Sequence, residues 1–494
     1  VDPGRPILLR KEVITVRAYY YIALAVLVLC GWLVHSLRTG GIGRVLVSIR
    51  DNEDVARAFG INSTARKLQA FVVSGTIAGL GGVVLAQSLS RLTIATFPAV
   101  QSVALLAMVV LGGINRVSGA VLGAVYLVGL PLLISIPSLE LMMTGVGVLI
   151  FVLYVPGGLS QLLDQVRLLA VRMLARRAGV EDELPANETP ELGRLSFVRE
   201  NNGKAPASDK TQILTARAIT LSYDHVKALD DMSLEVLAGE TLGIIGPNGS
   251  GKTTLFKVIS GFEAPQAGIV TFGGRDLTRL GPATRSRLGL VRSFQDSMLF
   301  PTLTVLESVR LAFEGGSATR LVSSVLGLPP ARHLEREKEE RARGLVDLMG
   351  LSAFRDKFVG ELSTGTRRIT ELCCLIALEP KVLLLDEPSS GIAQRETEAL
   401  GELLGAIKDR MGLTLVVIEH DMPLIMAISD RIIAMASGSK ISEGAPSEIQ
   451  SDGRVIESYL GTFETAIARS GATPAKKKSG STKKSPRRVR PGET

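Results

Sequence analysis

The nonapeptide Gly246-Pro247-Asn248-Gly249-Ser250-Gly251-Lys252-Thr253-Thr254 is the stretch of the chain best suited to chemistry. It fits G-x-x-x-x-G-K-[ST], in which glycines let backbone N–H groups converge on phosphate oxygens and the helix that follows adds its positive dipole end. Lys252 is expected to reach the β- and γ-phosphates of a nucleoside triphosphate, and the Thr253 hydroxyl to ligate Mg2+. The context fits, because Thr241–Ile245 reads as a strand and residues 254–260 as a helix. Downstream, Val382-Leu383-Leu384-Leu385-Asp386-Glu387-Pro388 is an apolar run without alternation, the mark of a central parallel strand covered on both faces. Its two acids stand at the carboxyl end of that strand, where α/β folds bind ligands. Asp386 is expected to hold Mg2+, directly or through water, and Glu387 to act as general base on the water that attacks the γ-phosphate. Two acids at a strand end are often only a turn or a helix cap. Beside a phosphate loop the catalytic reading is the stronger one.

Such loops need an α/β frame, and from Thr211 to Gly461 short β-branched runs do alternate with helical ones. The first third of the chain is different. Five stretches (residues 18–37, 68–90, 92–115, 117–139 and 141–163) hold no Asp, Glu, Lys or Arg and are 20 to 24 residues long. About 20 helical residues cross ~30 Å of hydrocarbon, so about five membrane spans are expected. Pro98, Pro131, Pro137 and Pro156 make breaks or span ends, so the runs need not be straight helices. Gly75, Gly79, Gly81, Gly82, Gly112, Gly113, Gly119 and Gly123 would let helix backbones approach closely. Residues 38–67 carry six Lys or Arg, which places that connection in the cytosol. Residues 164–210 read as an amphipathic segment and polar linker, and from Glu464 nine basic residues against two acids make a tail too polar to bury a core.

Composition agrees with two classes in one chain: 494 residues, 46% hydrophobic and 21% charged, with a net charge of +8 of which the tail supplies +7. Disordered, collagen-like and disulfide-framework proteins are excluded. Cys30, Cys373 and Cys374 offer no paired framework, and read as buried or neutral thiols in a reducing compartment.

The region from about Ile213 to Gly461, over half the chain, resembles the ATP-binding-cassette (ABC) transport ATPases. Leu362-Ser363-Thr364-Gly365-Thr366-Arg367-Arg368 looks like the family's LSGGQ signature, with Thr366 in place of the usual Gln. The resemblance implies that Ser363 and Gly365 cap the γ-phosphate on an opposite subunit, so hydrolysis needs two cassettes. It also implies that Gln295 touches Mg2+ and the membrane partner, that His420 contacts the γ-phosphate, and that Tyr223 stacks on adenine. Ser390-Gly391-Ile392-Ala393 lacks the family's Asp, which puts that residue's cross-dimer contacts in doubt. The charged connection from Gly43-Arg44 through Glu53, Ala56 and Gly60 reads physically as a short amphipathic helix, stopped by Gly60 and presenting charge to a cytosolic surface. It resembles the coupling loop of importer permeases of the branched-chain amino-acid class. Leu111-Gly112-Gly113-Ile114 and the segment from Glu443 to Gly461 resemble that class too.

The expected architecture is therefore an α-helical transmembrane domain (1–163), a linker (164–210), an α/β P-loop NTPase of the ABC type (211–463) and a basic tail (464–494). Residues 1–163 look like the C-terminal half of a permease, and the chain begins with Val1, so an upstream portion is expected. What the resemblance implies is ATP- and Mg2+-dependent import across a bacterial inner membrane. Implied partners are a second permease, a second ATPase, an extracytoplasmic solute-binding protein and membrane lipid. Importers of urea, amides or other amino acids, and an ABC exporter half-transporter, compete with this reading. Exporters need long cytosolic helix extensions, for which the connections other than 38–67 are too short. A soluble ABC ATPase acting on nucleic acid would explain the basic tail but not the uncharged runs; no specific nucleic acid is expected.

Overall fold

The computed structural model describes residues 7–8, 11–12, 16–89, 99–113, 117–129, 211–294, 299–315, 323–324, 328–392 and 394–459, with scattered residues between 153 and 173. A small antiparallel pair, β1 (Ile7–Leu8) and β2 (Lys11–Glu12), precedes the helices α1 (Val16–Thr39), α2 (Gly41–Asp51), α3 (Glu53–Ala58), α4 (Ser63–Ser88), α5 (Ala99–Gly112) and α6 (Val117–Ala124). Then follow β3 (Gln212–Tyr223), β4 (Val226–Leu237), β5 (Thr241–Ile245), α7 (Lys252–Ser260), β6 (Ala267–Phe272), β7 (Arg275–Asp276), α8 (Pro282–Arg287), β8 (Leu290–Arg292), α9 (Val305–Ala312), α10 (Pro329–Leu348), α11 (Thr364–Ala377), β9 (Val382–Asp386), α12 (Gln394–Met411), β10 (Thr414–Ile418), α13 (Met422–Ile428), β11 (Arg431–Ala436), β12 (Ser439–Gly444) and α14 (Pro446–Ser451). The chain folds as two compact units, residues 1–205 with 280–413, and residues 206–279 with 414–494.

In the first unit, α1 and α4 are long and apolar enough to cross a membrane. Their apolar side chains face outward, Phe71 at 75% exposure and Tyr21 at 66% among them, as a lipid-facing surface requires. The third and fourth expected runs differ from two straight spans. Ser102–Gly112 and Val117–Gly129 meet at 119°, so among the described residues there are two spans, or three if this pair is one broken span. The glycines are the physical reason. Gly113 turns the chain at φ +108°, and a Cβ on Gly112, Gly119 or Gly123 would lie 1.7, 2.4 or 1.8 Å from a backbone oxygen of the facing segment. Gly75, Gly79, Gly81 and Gly82 instead meet nothing within 4 Å, so the close approach expected of them is not made among the described residues. Residues 130–139 of the fourth run, most of the fifth run and of the linker, and the basic tail lie outside the described residues. The same unit carries β8 and β9 as a parallel pair, Arg292 in register with Leu384, and helices α8–α12. Cys373 and Cys374 sit fully buried on α11, where burial pushes both thiols up and keeps them neutral.

In the second unit β5 lies between β10 and β11, parallel to both, with β12 antiparallel at the edge. All five residues of β5 and of β10 are buried, which accounts for their unbroken apolar sequence. A second, antiparallel sheet runs β4-β3-β6-β7.

Candidate functional site

The phosphate loop leaves the end of β5 and enters α7. Two of its glycines are sterically required: Gly246 at φ +154° would place a Cβ 2.3 Å from the Met435 carbonyl oxygen, and Gly251 at φ +98° would place one 2.4 Å from that of Ala228. The loop is thus pinned between β11 and β4, and the N-cap of α7, Gly251, makes no side-chain cap bond to the helix. Lys252, only 6% exposed, arches back so that Nζ donates to the carbonyls of Gly246 (2.7 Å) and Pro247 (3.0 Å). Its ammonium is held over a concave, amide-lined loop, an arrangement fit to receive phosphate oxygens. Tyr223, at the end of β3 and 42% exposed, stands beside Glu263 and Thr254. Partial burial, with the Glu263 carboxylate next, pushes its phenol up, so it stays neutral. An exposed neutral ring next to the first turn of α7 is suitably placed to stack on a base. Exposed His420 follows β10, whose Ile418 pairs with Ile244. Because β10 and β5 are parallel neighbours, His420 and the phosphate loop emerge at the same sheet edge.

The expected catalytic acids lie in the other unit. Asp386 ends β9, is 0% exposed, and its Oδ2 accepts from Arg292 Nη2 at 2.8 Å while its own N–H donates to Ser293 Oγ at 2.9 Å. Burial lowers the Arg292 guanidinium, against which the Asp386 charge works to keep it protonated. Glu387 adopts φ +48°, a conformation that strains a non-glycine residue by about 1–3 kcal/mol and persists only where surroundings enforce it. Arg368 is one such constraint: Nη2 donates to the Glu387 carbonyl and Nε to that of Pro388 at 2.8 Å. Ser363 caps α11, accepting from Thr366 N–H at 3.3 Å, and its Oγ lies 2.9 Å from Thr366 Oγ1. The Gln-to-Thr departure is therefore accommodated by a buried hydroxyl bonded to the capping serine, with Ser363 itself left exposed and Gly365 half-buried. Gln295 lies outside the described residues.

The coupling segment departs from its expected form. It is two helices, and the charge at Arg44 is not presented to solvent: Arg44 is 4% exposed and its Nη2 reaches Glu314 at 3.2 Å and Glu335. Lys338 pairs with Glu314 at 2.9 Å, and Arg310 with Glu335 at 2.8 Å and Glu339 at 3.2 Å. Burial alone would raise the Glu335 carboxyl, but Arg44, Lys338 and Arg310 outweigh it and hold it below the usual range. Gly41 is what permits the approach, since a Cβ there would fall 2.1 Å from Glu314 Oε1. Beyond α2, Asn52 caps α3 and accepts from Val55 N–H, Ala56 is 0% exposed, and Phe59 packs edge-on to Phe300 with centroids 5.6 Å apart. Gly60 ends α3 at φ +79°, as expected. Glu53 stays outside, bonded to Lys67 and Arg57; hydrogen bonds from Lys67 and Ser63 dominate and hold its carboxyl down at about 2. Arg292, Arg368 and Glu371 escaped the sequence reading. The one signal was charge close to an apolar run, as Glu371 stands just before Leu372-Cys373-Cys374-Leu375-Ile376-Ala377 of α11.

A nucleotide-binding loop on an α/β frame, a capped signature helix and apolar spans define an ABC transporter. The family description "ABC transporter" matches residues 229–390, "Branched-chain amino acid transport system / permease component" matches residues 6–153, and "Branched-chain amino acid ATP-binding cassette transporter" matches residues 439–465. Over 249 residues, half of this chain and 98% of the relative, the sequence is 34% identical to the high-affinity branched-chain amino acid transport ATP-binding protein LivG of Salmonella typhimurium. It is likewise 34% identical over 258 residues, 98% of the relative, to a probable branched-chain amino acid transport ATP-binding protein LivG of Archaeoglobus fulgidus. Among solved structures, a nucleotide-free ATP-binding cassette from an ABC transporter is 30% identical, with 50% of this chain and 99% of that one covered at a TM-score of 0.44. The chain belongs to the branched-chain amino acid family of ABC transporters and joins a permease part to an ATP-hydrolysing cassette.

Proposed function

We propose that this chain imports branched-chain amino acids across a bacterial inner membrane, with residues 1–163 in the membrane, 164–210 as linker, and the cassette (211–463) and tail (464–494) on the cytoplasmic side. The observation that carries the coupling is the burial of Arg44 and Phe59, from the connection between α1 and α4, against cassette residues Glu314, Glu335 and Phe300. A loop held this way moves with the cassette surface it touches.

The roles follow from chemistry. Lys252 and the loop from Gly246 to Thr254, with Pro247, Asn248, Gly249, Ser250 and Gly251, bind the phosphates, every residue but Pro247 offering a backbone N–H; Tyr223 stacks on the base. Asp386 and the Thr253 hydroxyl, with Gln295, are hard oxygen donors suited to Mg2+, which would neutralise charge on the β- and γ-phosphates when bound. The buried Asp386 carboxylate fits that task, with one of its oxygens bonded to Arg292. Glu387 takes the proton of the attacking water, and His420 contacts the γ-phosphate. Ser363 and Gly365 face the nucleotide of a second cassette. A second permease and an extracytoplasmic solute-binding protein complete the assembly.

Uptake of labelled leucine by cells carrying the complete locus tests the reading, beside Glu387→Gln. Removal of the base is expected to lower turnover about 100-fold or more while ATP still binds. Leucine entry abolished by the substitution supports import. Efflux lost instead would indicate an exporter, and leucine flux indifferent to Glu387 would move the substrate to another solute, urea first.

A further inference from the structure

The guanidinium of Arg368, the last residue of the signature segment, is buried to 2% exposure in the second turn of α11, and the roles above make no use of it. Its bonds go to main chain on two other segments. On one side the fork of Nε and Nη2 spans consecutive carbonyls, those of Pro388 (2.8 Å) and Glu387. On the other, Nη1 donates to the Phe294 carbonyl at 3.3 Å and to Glu371 Oε2 at 2.6 Å. Glu371, buried to 3%, closes the bracket from the same helix by accepting the Phe294 N–H at 3.0 Å. The ion pair thus grips both polar groups of Phe294, the residue just before Gln295, and both carbonyls of the Glu387–Pro388 turn.

Geometry gives the bracket a purpose. Glu387 sits at φ +48°, so its turn relaxes unless held, and a planar five-donor fork can fix two successive carbonyls where an ammonium fixes one point. We propose that Arg368, braced by Glu371, is a positioning residue for ATP hydrolysis: it fixes the Glu387 turn through its main chain and ties that turn and the approach to Gln295 to the signature helix. Displacing α11 at Ser363 then moves the base. A phosphate contact at Ser363 is converted into alignment of Glu387, without Arg368 touching nucleotide. This rests on Glu387 being the base.

The test uses the full chain in its assembled transporter, with steady-state ATPase and nucleotide-binding measurements. Arg368→Lys keeps a cation beside Glu371, and the double variant R368M/E371Q removes both charges so that no buried carboxylate is left alone. Either one reads the proposal if the other fails to fold. Turnover is expected to fall about 10- to 100-fold, the cost typical of misplacing a catalytic group by about an ångström, with KM and ATP affinity within about twofold of wild type. In a Glu387→Gln background the same substitutions should change the residual rate less than about twofold, because the group they position is gone. Turnover kept within twofold, a matching loss of ATP affinity, or losses that multiply with that of Glu387→Gln would each overturn the proposal. Wild-type hydrolysis by Glu387→Gln alone would instead sink the assignment of the base, a separate outcome.

Discussion

Asp386 and Arg292 form a pair that neither residue could sustain alone. A carboxylate at 0% exposure is stable because a guanidinium 2.8 Å away answers its charge, and the guanidinium is itself buried. Arg292→Met is therefore expected to destabilise the folded chain by about 3–5 kcal/mol, the range for removing one partner of a buried ion pair. The check is the thermal or denaturant midpoint of the purified full chain in the absence of nucleotide and divalent cation. A midpoint unchanged from wild type would mean that Asp386 finds another cation or is not charged in the resting state. Lys252 is buried too, and its ammonium is answered by the Gly246 and Pro247 carbonyls.

At the scale of elements, α2 and α3 have opposite tasks. The α2 helix buries Arg44 among Glu314, Glu335 and Lys338, whereas α3 buries Val55, Ala56 and Ala58 and leaves Glu53 outside. Specificity of docking resides in the first and adhesion in the second, because apolar burial is indifferent to partner while a buried charge tolerates only its complement. Arg44→Glu, which places a third carboxylate beside Glu314 and Glu335, is expected to abolish substrate-stimulated ATPase and uptake while leaving ATP affinity intact. Adding Glu314→Arg to Arg44→Glu should restore part of the coupling. Uptake within about twofold of wild type in Arg44→Glu would show that the cluster does not transmit force. This pairing was not legible beforehand. Periodicity in residues 43–60 revealed an amphipathic segment and its glycine stop, but which charge faced inward depended on acids some 270 and 291 positions away.

For the whole molecule, the fusion raises the question of what the covalent link contributes. The LivG relatives match half of this chain over nearly their full length, so the cassette corresponds to a complete polypeptide there. If α2–α3 docking holds the parts together, cutting the chain once within residues 190–205, at an inserted protease site, should leave the two fragments co-purifying with unchanged ATPase activity. Dissociation on cleavage would mean that the link, and not the buried cluster, maintains the contact.

The order of the parts, the phosphate loop, the signature segment and the strand-end acids were legible from residue types and spacing. These are local: a loop that must bind phosphate needs glycines at set spacing, a strand buried on both faces must be apolar throughout, and a helix in lipid must lack charge for about 20 residues. Only the tertiary structure decided the rest. The break between α5 and α6 follows from glycines facing backbone oxygens of another segment, the burial of Arg44 from acids on α10 and beyond α9, and the Arg368–Glu371 bracket from main-chain carbonyls that carry no residue identity at all. Each depends on partners distant in sequence. A side chain's type states what it can bond, and only the fold states which partner comes within about 3 Å.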